Sequence, residues 1–165
     1  MAGNVKLFGE NIKMSSVELT IKPINQDDFS DWKTLYKQYL EFYKTELSPE
    51  QLATLWSWFF DADKQMYCYT AIHEKKIIGL VHFREYLRPI KAASAVFIDD
   101  LYVVNNFRGM GIAQSLIKSV NEFCLVRKIP LVRWATAHDN QVAMRLYDKI
   151  ANQTQWKIYD MVVTQ

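Results

Sequence analysis

The chain has 165 residues, half of them hydrophobic, with 20 basic and 18 acidic residues and a formal net charge of +2. This length suits one domain with a sizeable core, and the near-balanced charge does not favour a nucleic-acid-binding protein, for which a clustered basic surface is typical. No apolar run of the sequence approaches the roughly 18 residues that a membrane span needs.

The cysteines and the N-terminal segment favour an intracellular protein. Cys68 and Cys124 lie in apolar stretches without paired spacing, as is typical of reduced thiols that pack as small hydrophobes. Residues 1–13 lack the compact apolar region of a signal peptide. We expect them to be a leader, disordered or derived from cloning, before a single domain over 14–165. The expected location is the cytoplasm.

The first half of the chain carries the patterns of one strand, two helices and two further strands. Strands are indicated by alternating apolar positions and by β-branched and aromatic residues, and helices by cap residues followed by an apolar stripe. In chain order we expect a strand at 17–24, a helix after the cap residues Asp27 and Asp28, a helix from Ser48-Pro49-Glu50-Gln51 to about Phe60, and strands at 66–73 and 76–86.

In the second half, strands alternate with helices. The predicted elements are a strand at 93–104, a helix from Ile112 that ends at Ile129-Pro130, a strand at 131–136, a helix capped by Asp139 or Asn140, and a closing strand at 156–163. The order is therefore β-αα-βββ-α-β-α-β. Consecutive strands favour antiparallel pairing and helical crossovers favour parallel pairing, so the sequence predicts a mixed α/β sheet.

The stretch from Asp100 to Ala113 places a loop with Gly109 and Gly111 between a strand and a helix. Helix N-termini bind phosphates, and glycines let the backbone approach an anion closely. Arg108 adds a guanidinium that can grip a phosphate or brace the turn. A P-loop is absent, and Gln114 stands where a dinucleotide-binding turn needs its third glycine. A plain tight turn is the alternative.

The residues that flank this loop decide between these readings. Arg108 to Ala113 reads Arg-Gly-Met-Gly-Ile-Ala, which resembles the pyrophosphate loop of the GNAT acetyltransferase superfamily, usually written Gln/Arg-x-x-Gly-x-Gly/Ala. Trp134 to Tyr147 resembles the second CoA segment of that family. Together with Asp99 to Val103, it is similar to the branch that acts on polyamines or amino acids. The resemblance implies the GNAT-type acyl-CoA N-acyltransferase fold.

The same resemblance implies acetyl-CoA as the co-substrate. The residues that it implies for binding are Leu101, Tyr102, Val103, Asn106, Arg108, Gly109, Met110, Gly111, Ile112, Ala113, Asn140 and Tyr147. Asn106 departs from the family pattern, which has Gln or Arg there, and Arg108 is the candidate to compensate. The Gly-Phe that often follows the last helix is also missing, since Ile150-Ala151-Asn152 stands there. Backbone amides near Leu101 and Val103 are expected to hold the thioester oxygen if the neighbouring strands diverge.

Two adjacent aspartates and one tyrosine are the candidate catalytic residues. An alkylammonium must lose a proton before it can attack a thioester, and Asp99 or Asp100 is the candidate base. Neighbours in a regular strand point to opposite faces, but the resemblance implies a bulge here, which leaves the choice open with Asp99 slightly favoured. The resemblance also implies that Tyr147 protonates the leaving thiolate. A core aromatic packed with Ala143 and Leu146 is the alternative for Tyr147.

The acceptor pocket is expected between the first two helices and the turn after the third strand. Aromatic and acidic groups suit a cationic amine, and the candidates are Tyr36, Tyr43, His82 and Tyr86, with Glu41 and Glu46 nearby. The three histidines show no metal-ligand spacing, so we expect no metal site. The expected partner is a small-molecule amine, with no nucleic acid and no membrane. Trp56 to Phe60 is apolar enough to serve a homodimer interface, although such a segment is more often core.

Two other classes of protein remain possible at this point. A non-catalytic acyl-CoA-binding or regulatory module would keep Gly109, Gly111 and Asn140 but would need neither Tyr147 nor an acidic base. A protein-interaction domain would bind no nucleotide at all. The sequence also leaves open whether the amine belongs to a protein, a polyamine, an amino acid or an aminoglycoside.

Overall fold

The computed structural model describes residues 11–14 and 17–163. The chain divides into two compact units, Met1–Ala135 and Thr136–Gln165. Within the described residues of the larger unit lie the sheet and three α-helices, and the smaller unit contains the fourth α-helix and the C-terminal segment. No helix of the described ranges combines the length and the apolar character that crossing a membrane requires.

Among the described residues, the sheet has six strands that follow one another in sequence order. The strands are β1 (Asn11–Met14), β2 (Val17–Pro23), β3 (Met66–His73), β4 (Lys76–Arg88), β5 (Ala93–Val103) and β6 (Val132–Trp134). Strands β1 to β5 pair antiparallel, and β6 pairs parallel to β5. The parallel pair follows the one crossover made by a helix within the sheet unit, so the mixed α/β sheet expected from the sequence is confirmed.

The α-helices of the described ranges are α1 (Phe29–Phe42), α2 (Pro49–Trp58), α3 (Ile112–Arg127) and α4 (Gln141–Ile150). Helix α2 begins with the predicted capping box, in which the Ser48 hydroxyl accepts from the Gln51 amide and the Gln51 side chain accepts from the Ser48 amide. Helix α3 ends at Arg127, and its C-cap residue Lys128 adopts a left-handed conformation. Helix α1 follows a short 3₁₀ turn with a capping box, in which the Asn25 side chain accepts from the Asp27 amide and the Asp28 side chain accepts from the Asn25 amide. Asp28 makes no side-chain cap to α1 itself.

Helices α1 and α3 cover opposite faces of the sheet. Successive side chains of a strand point to opposite faces, and His82 and Phe83 of β4 illustrate this. His82 contacts Trp32 of α1, whereas Phe83 packs against Phe123 of α3. On the α1 side, the core includes the buried residues Trp32, Leu35, Leu40, Leu52, Leu55, Cys68 and Leu80.

Two expectations about the chain ends differ from the structure. Asn11–Met14 pairs with β2 as strand β1, so a strand begins inside the segment that we expected to precede the domain. Residues 1–10 lie outside the described residues. The closing strand expected at 156–163 is wrong, because these residues adopt no strand. A strand requires a neighbour for its backbone groups, and among the described strands none pairs with this segment.

Candidate active site

A β-bulge in β5 separates the two adjacent aspartates. His82 of β4 pairs with Asp100, and the next residue, Phe83, pairs with Ile98. Asp99 is therefore the extra residue of a bulge, which bends the strand and changes the direction of its side chains. In consequence Asp100 is largely buried toward α1, whereas Asp99 extends toward Arg84 at the surface.

The Asp100 carboxylate accepts three hydrogen bonds from side chains. The donors are Nδ1 of His82 at 2.8 Å, the Tyr36 hydroxyl at 3.1 Å and the Tyr39 hydroxyl at 2.6 Å. Tyr36 and Tyr39 are stacked with their ring centroids 5.4 Å apart, and Tyr43 lies against Tyr39 at 4.9 Å. We call these five residues the Asp100 cluster. It presents a carboxylate surrounded by aromatic rings.

The pKa of this carboxylate is shifted by its surroundings. Burial raises the pKa of Asp100, whereas the hydrogen bonds from His82, Tyr39 and Tyr36 lower it, and the net shift is downward from the ordinary value of 3.8. Burial, followed by the charge of Asp100, raises the pKa of Tyr36 and of Tyr39. Asp100 is therefore an anion at neutral pH, and its tyrosine neighbours keep their protons.

Asp99 has the opposite electrostatic character. Its carboxylate oxygens lie 3.1 and 3.0 Å from Nε of Arg84. Burial raises the pKa of Asp99, and the hydrogen bond and charge of Arg84 compensate only in part. Of the two aspartates, Asp99 is thus the stronger base.

The glycine loop has the geometry of an anion site. Gly109 and Gly111 have φ angles of 78° and 77°, a conformation that favours glycine. Gly111 is the N-cap of α3 and supplies no side chain for the first amides of the helix, which also lack intrahelical acceptors. A Cβ atom at Gly109 would meet nothing within 4 Å, so the backbone is open there. These features fit a diphosphate.

Arg108 braces this loop. Its Nε donates to the carbonyl of Val103 at 2.9 Å, and its guanidinium lies 5.4 Å from the ring centroids of both Phe42 and Tyr102. Of the two roles that the sequence left open for Arg108, the structure therefore shows the bracing one. Asn106 lies in the exposed 3₁₀ turn that precedes Arg108, and Met110 is exposed as well.

The outer edge of β5 opens beyond its pairing with β6. The last pair joins Ile98 to Trp134, and within the described residues β6 does not continue past Trp134. The amide of Val104 donates to the carbonyl of Ile78 in β4. Since alternate residues of a strand bond to the same neighbour, the amides of Leu101 and Val103 point away from β4. Their oxyanion-binding role remains a prediction.

The smaller unit contains the two remaining predicted residues. Asn140 caps α4, since its side-chain oxygen accepts from the Ala143 amide at 3.4 Å, and its amide donates to Thr136. Tyr147 lies on α4 and is half-buried, as are Ala143 and Leu146. The cap role of Asn140 is confirmed, and the chemical roles of both residues remain predictions.

The predicted acceptor residues fall into different environments. Tyr36, Tyr43 and His82 belong to the Asp100 cluster, and His82 is fully buried. The hydroxyl of Tyr86 is buried and has no hydrogen-bond partner among the described residues. The sequence analysis missed Tyr39, although it shares one helical face with Tyr36 and Tyr43 at spacings of three and four residues. The described residues contain no group of side chains that could hold a metal ion.

Comparison with known proteins identifies the family. The model of the Acetyltransferase (GNAT) family matches residues 32–151. The chain belongs to the GNAT family of acetyltransferases. It is 30% identical over 149 residues to the D-amino-acid N-acetyltransferase of Saccharomyces cerevisiae, and the match covers 89% of this chain and 92% of that relative. The GNAT resemblance is therefore confirmed, and the chain is an N-acetyltransferase.

Solved GNAT structures share the fold. An aminoglycoside N-acetyltransferase in complex with CoA superposes with a TM-score of 0.77 at 17% identity, over 92% of this chain and 99% of that chain. A ribosomal-protein-alanine N-acetyltransferase from Brucella melitensis biovar Abortus superposes with a TM-score of 0.74 at 20% identity, over 88% of this chain and 99% of that chain. The fold class predicted from the sequence is thus confirmed.

The two aspartates should affect stability with opposite pH trends. The native pKa of Asp100 lies below its unfolded value, so its carboxylate stabilises the fold above about pH 4, and this contribution is lost as the pH falls through the native pKa. We expect Asp100→Asn to lower the free energy of unfolding at neutral pH by about 1.5–3 kcal/mol relative to the wild type. This difference between the two proteins should become smaller as the pH falls. Urea unfolding between about pH 3 and pH 7 measures it.

Asp99→Asn is the matched control. The native pKa of Asp99 lies above its unfolded value, so the ionised form weakens the fold and protonation relieves this as the pH falls. The difference in the free energy of unfolding between Asp99→Asn and the wild type should therefore change with pH in the direction opposite to that for Asp100→Asn. A gap for Asp100→Asn that stays constant from neutral to acidic pH would contradict the assigned charge state.

Proposed function

We propose that this GNAT enzyme transfers the acetyl group of acetyl-CoA to a primary amine of a small molecule by direct attack in a ternary complex. The observation that carries the proposal is the Asp100 cluster. A buried anion surrounded by tyrosine rings suits an alkylammonium, because both the charge and the ring faces attract a cation. Both the yeast relative and the aminoglycoside enzyme are N-acetyltransferases by name, which agrees with an amine acceptor.

The glycine loop and the open edge of β5 are the proposed co-substrate site. The amides from Met110 to Ala113, at the end of the glycine loop and the start of α3, would hold the diphosphate, and Asn106 would lie at the rim of this site. Acetyl-CoA supplies the activated acyl carbonyl. The amides of Leu101 and Val103 would donate to its oxygen, where negative charge develops during the attack. Tyr102, which Arg108 contacts, would keep the β5 backbone in place, and Asn140 would position the start of α4.

In this proposal, Asp100 and Asp99 have different roles toward the acceptor. Asp100 binds the ammonium, because three donors already hold it in the ionised form. Asp99 would remove the proton through a water molecule, because its raised pKa makes it the better base and its side chain lies on the other side of the bulge, beside Arg84. The freed amine would then form the C–N bond as the C–S bond breaks, and the nitrogen would release its second proton to solvent. Tyr147 would donate its proton to the departing sulfur and recover one from solvent, the role that the family resemblance implies.

The acceptor would reach the Asp100 cluster past Tyr43, which is half-exposed. In this arrangement His82 would contact the Asp100 carboxylate from the protein interior, since it is fully buried. Tyr86 is retained as a candidate for a polar group of the acceptor, because its hydroxyl lacks a partner among the described residues. We further propose that the enzyme works in the cytoplasm as a homodimer. Trp58 and Phe60, each 39% exposed at the end of α2, are candidates for the interface.

Binding and turnover together test the proposed function. We expect calorimetry to show saturable binding of acetyl-CoA, and a panel of amines with a free-thiol readout to show turnover with small primary amines. Binding without turnover of any amine would favour the non-catalytic acyl-CoA module. Absence of saturable heat would favour the interaction domain, and turnover of a peptide N-terminus alone would assign the enzyme to protein amines.

Tyr147→Phe tests the proton donor. The variant keeps the ring and its packing but loses the hydroxyl, so we expect kcat to fall on the order of a hundredfold with acetyl-CoA affinity retained. Tyr159→Phe, which changes an exposed tyrosine of the same unit, serves as the control and should turn over like the wild type. Unchanged kcat in Tyr147→Phe would leave Tyr147 as a packing residue.

A further inference from the structure

His82 connects the aromatic core to the Asp100 carboxylate. The imidazole is fully buried and is bonded at both ring nitrogens. Nε2 lies 3.0 Å from Nε1 of Trp32, and Nδ1 lies 2.8 Å from the carboxylate of Asp100. The ring also lies within 4.9 Å of the Tyr36 ring and 4.8 Å of the Phe59 ring, measured between centroids. The imidazole is thus fixed by two hydrogen bonds and two aromatic contacts.

The indole of Trp32 determines the tautomer of His82. An indole nitrogen can only donate a hydrogen bond. Nε2 of His82 must therefore accept, and it carries no proton while this bond exists. The ring proton then lies on Nδ1, which donates to Asp100. Protonation of Nε2 would point two N–H groups at each other in a buried site, so the Trp32 bond excludes the imidazolium.

The other titratable groups around His82 leave Asp100 as the charged one. They are Asp100 itself on β5, Tyr36 on α1 and Cys68, which lies opposite His82 on β3. Burial raises the pKa of both Tyr36 and Cys68, so both stay neutral near pH 7. Asp99 acts on this region only from the other side of the bulge, where Arg84 is its partner. The negative charge is therefore concentrated on one carboxylate.

We propose that His82 is a positioning residue, fixed by Trp32 in its neutral Nδ1–H tautomer, that keeps the Asp100 carboxylate charged and directed at the ammonium of the acceptor. A protonated imidazole would instead pair with Asp100 and cancel the charge that attracts the amine. Trp32 and His82 thus affect the specificity for a cation only through Asp100, the residue that contacts the substrate. This inference rests on the proposed function, because it assigns the ammonium to Asp100.

Nitrogen NMR of the wild-type protein tests the tautomer without any assay of activity. With ¹⁵N-labelled histidine, we expect His82 to show a protonated Nδ1 and an unprotonated Nε2 at neutral pH. His73 and His138 provide reference signals in the same spectrum. A proton on Nε2, or an imidazolium at neutral pH, would overturn the inference even if the enzyme acetylates amines. If His82 shows the expected tautomer but the protein turns over no amine, the tautomer assignment stands and the proposed function is wrong.

A pair of tryptophan variants tests the consequence for the acceptor. Trp32→Phe removes the indole N–H and frees Nε2 to bind a proton, so the acceptor KM should rise on the order of tenfold as the pH falls from about 8 to about 6. Trp56→Phe is the control, because Trp56 packs on Trp32 but does not bond to His82, and its KM should follow the wild type. A folded Trp32→Phe whose KM profile matches that of Trp56→Phe would contradict the proposal. If Trp32→Phe does not fold, the wild-type spectrum alone decides.

Discussion

A buried carboxylate is stable only where donors replace the water that it has lost. This constraint governs the arrangement around Asp100, which receives one donor from β4 and two from α1. Helix α1 must therefore lie across β4 and β5 with its tyrosine face toward the sheet. The rings of Trp32 and Tyr36 contact the His82 ring of β4, with centroids 6.1 and 4.9 Å apart, and these contacts hold the helix against the sheet. The position of the helix and the charge of the carboxylate thus depend on the same set of bonds.

The bulge at Asp99 and the end of β6 give β5 two separate roles. On the α1 side, the bulge turns Asp100 into the cluster and leaves Asp99 at the surface. On its outer edge, β5 pairs with β6 as far as Ile98, and within the described residues this pairing goes no further. In the proposed function, the amine site and the co-substrate site would use consecutive residues of this strand. Arg108 connects the glycine loop to the strand, because its Nε donates to the carbonyl of Val103.

Much of the local structure was predictable because it depends on short-range signals. The capping box at Ser48, the turn glycines and the amphipathic pattern from Ile112 onward determine their elements with little help from the rest of the chain. The choice between Asp99 and Asp100 was not predictable, because one inserted residue in the pairing register reverses which side chain faces the core. Tyr39 was missed for a related reason, since a tyrosine on an apolar helical stripe looks the same whether or not its hydroxyl meets a carboxylate. The C-terminal segment has the alternation of a strand, but pairing depends on a neighbour that local sequence does not specify.

The central claim is that Asp100 recognises the charge of the acceptor, and a comparison of charged and neutral ligands tests it most directly. Calorimetry would measure the binding of a turned-over amine and of its isosteric alcohol, to the wild type and to Asp100→Asn, each saturated with CoA. We predict that the wild type prefers the amine by at least about tenfold and that the variant loses most of this preference while its affinity for the alcohol changes little. A preference for the amine that is the same in both proteins would show that the ammonium binds elsewhere and would contradict the account.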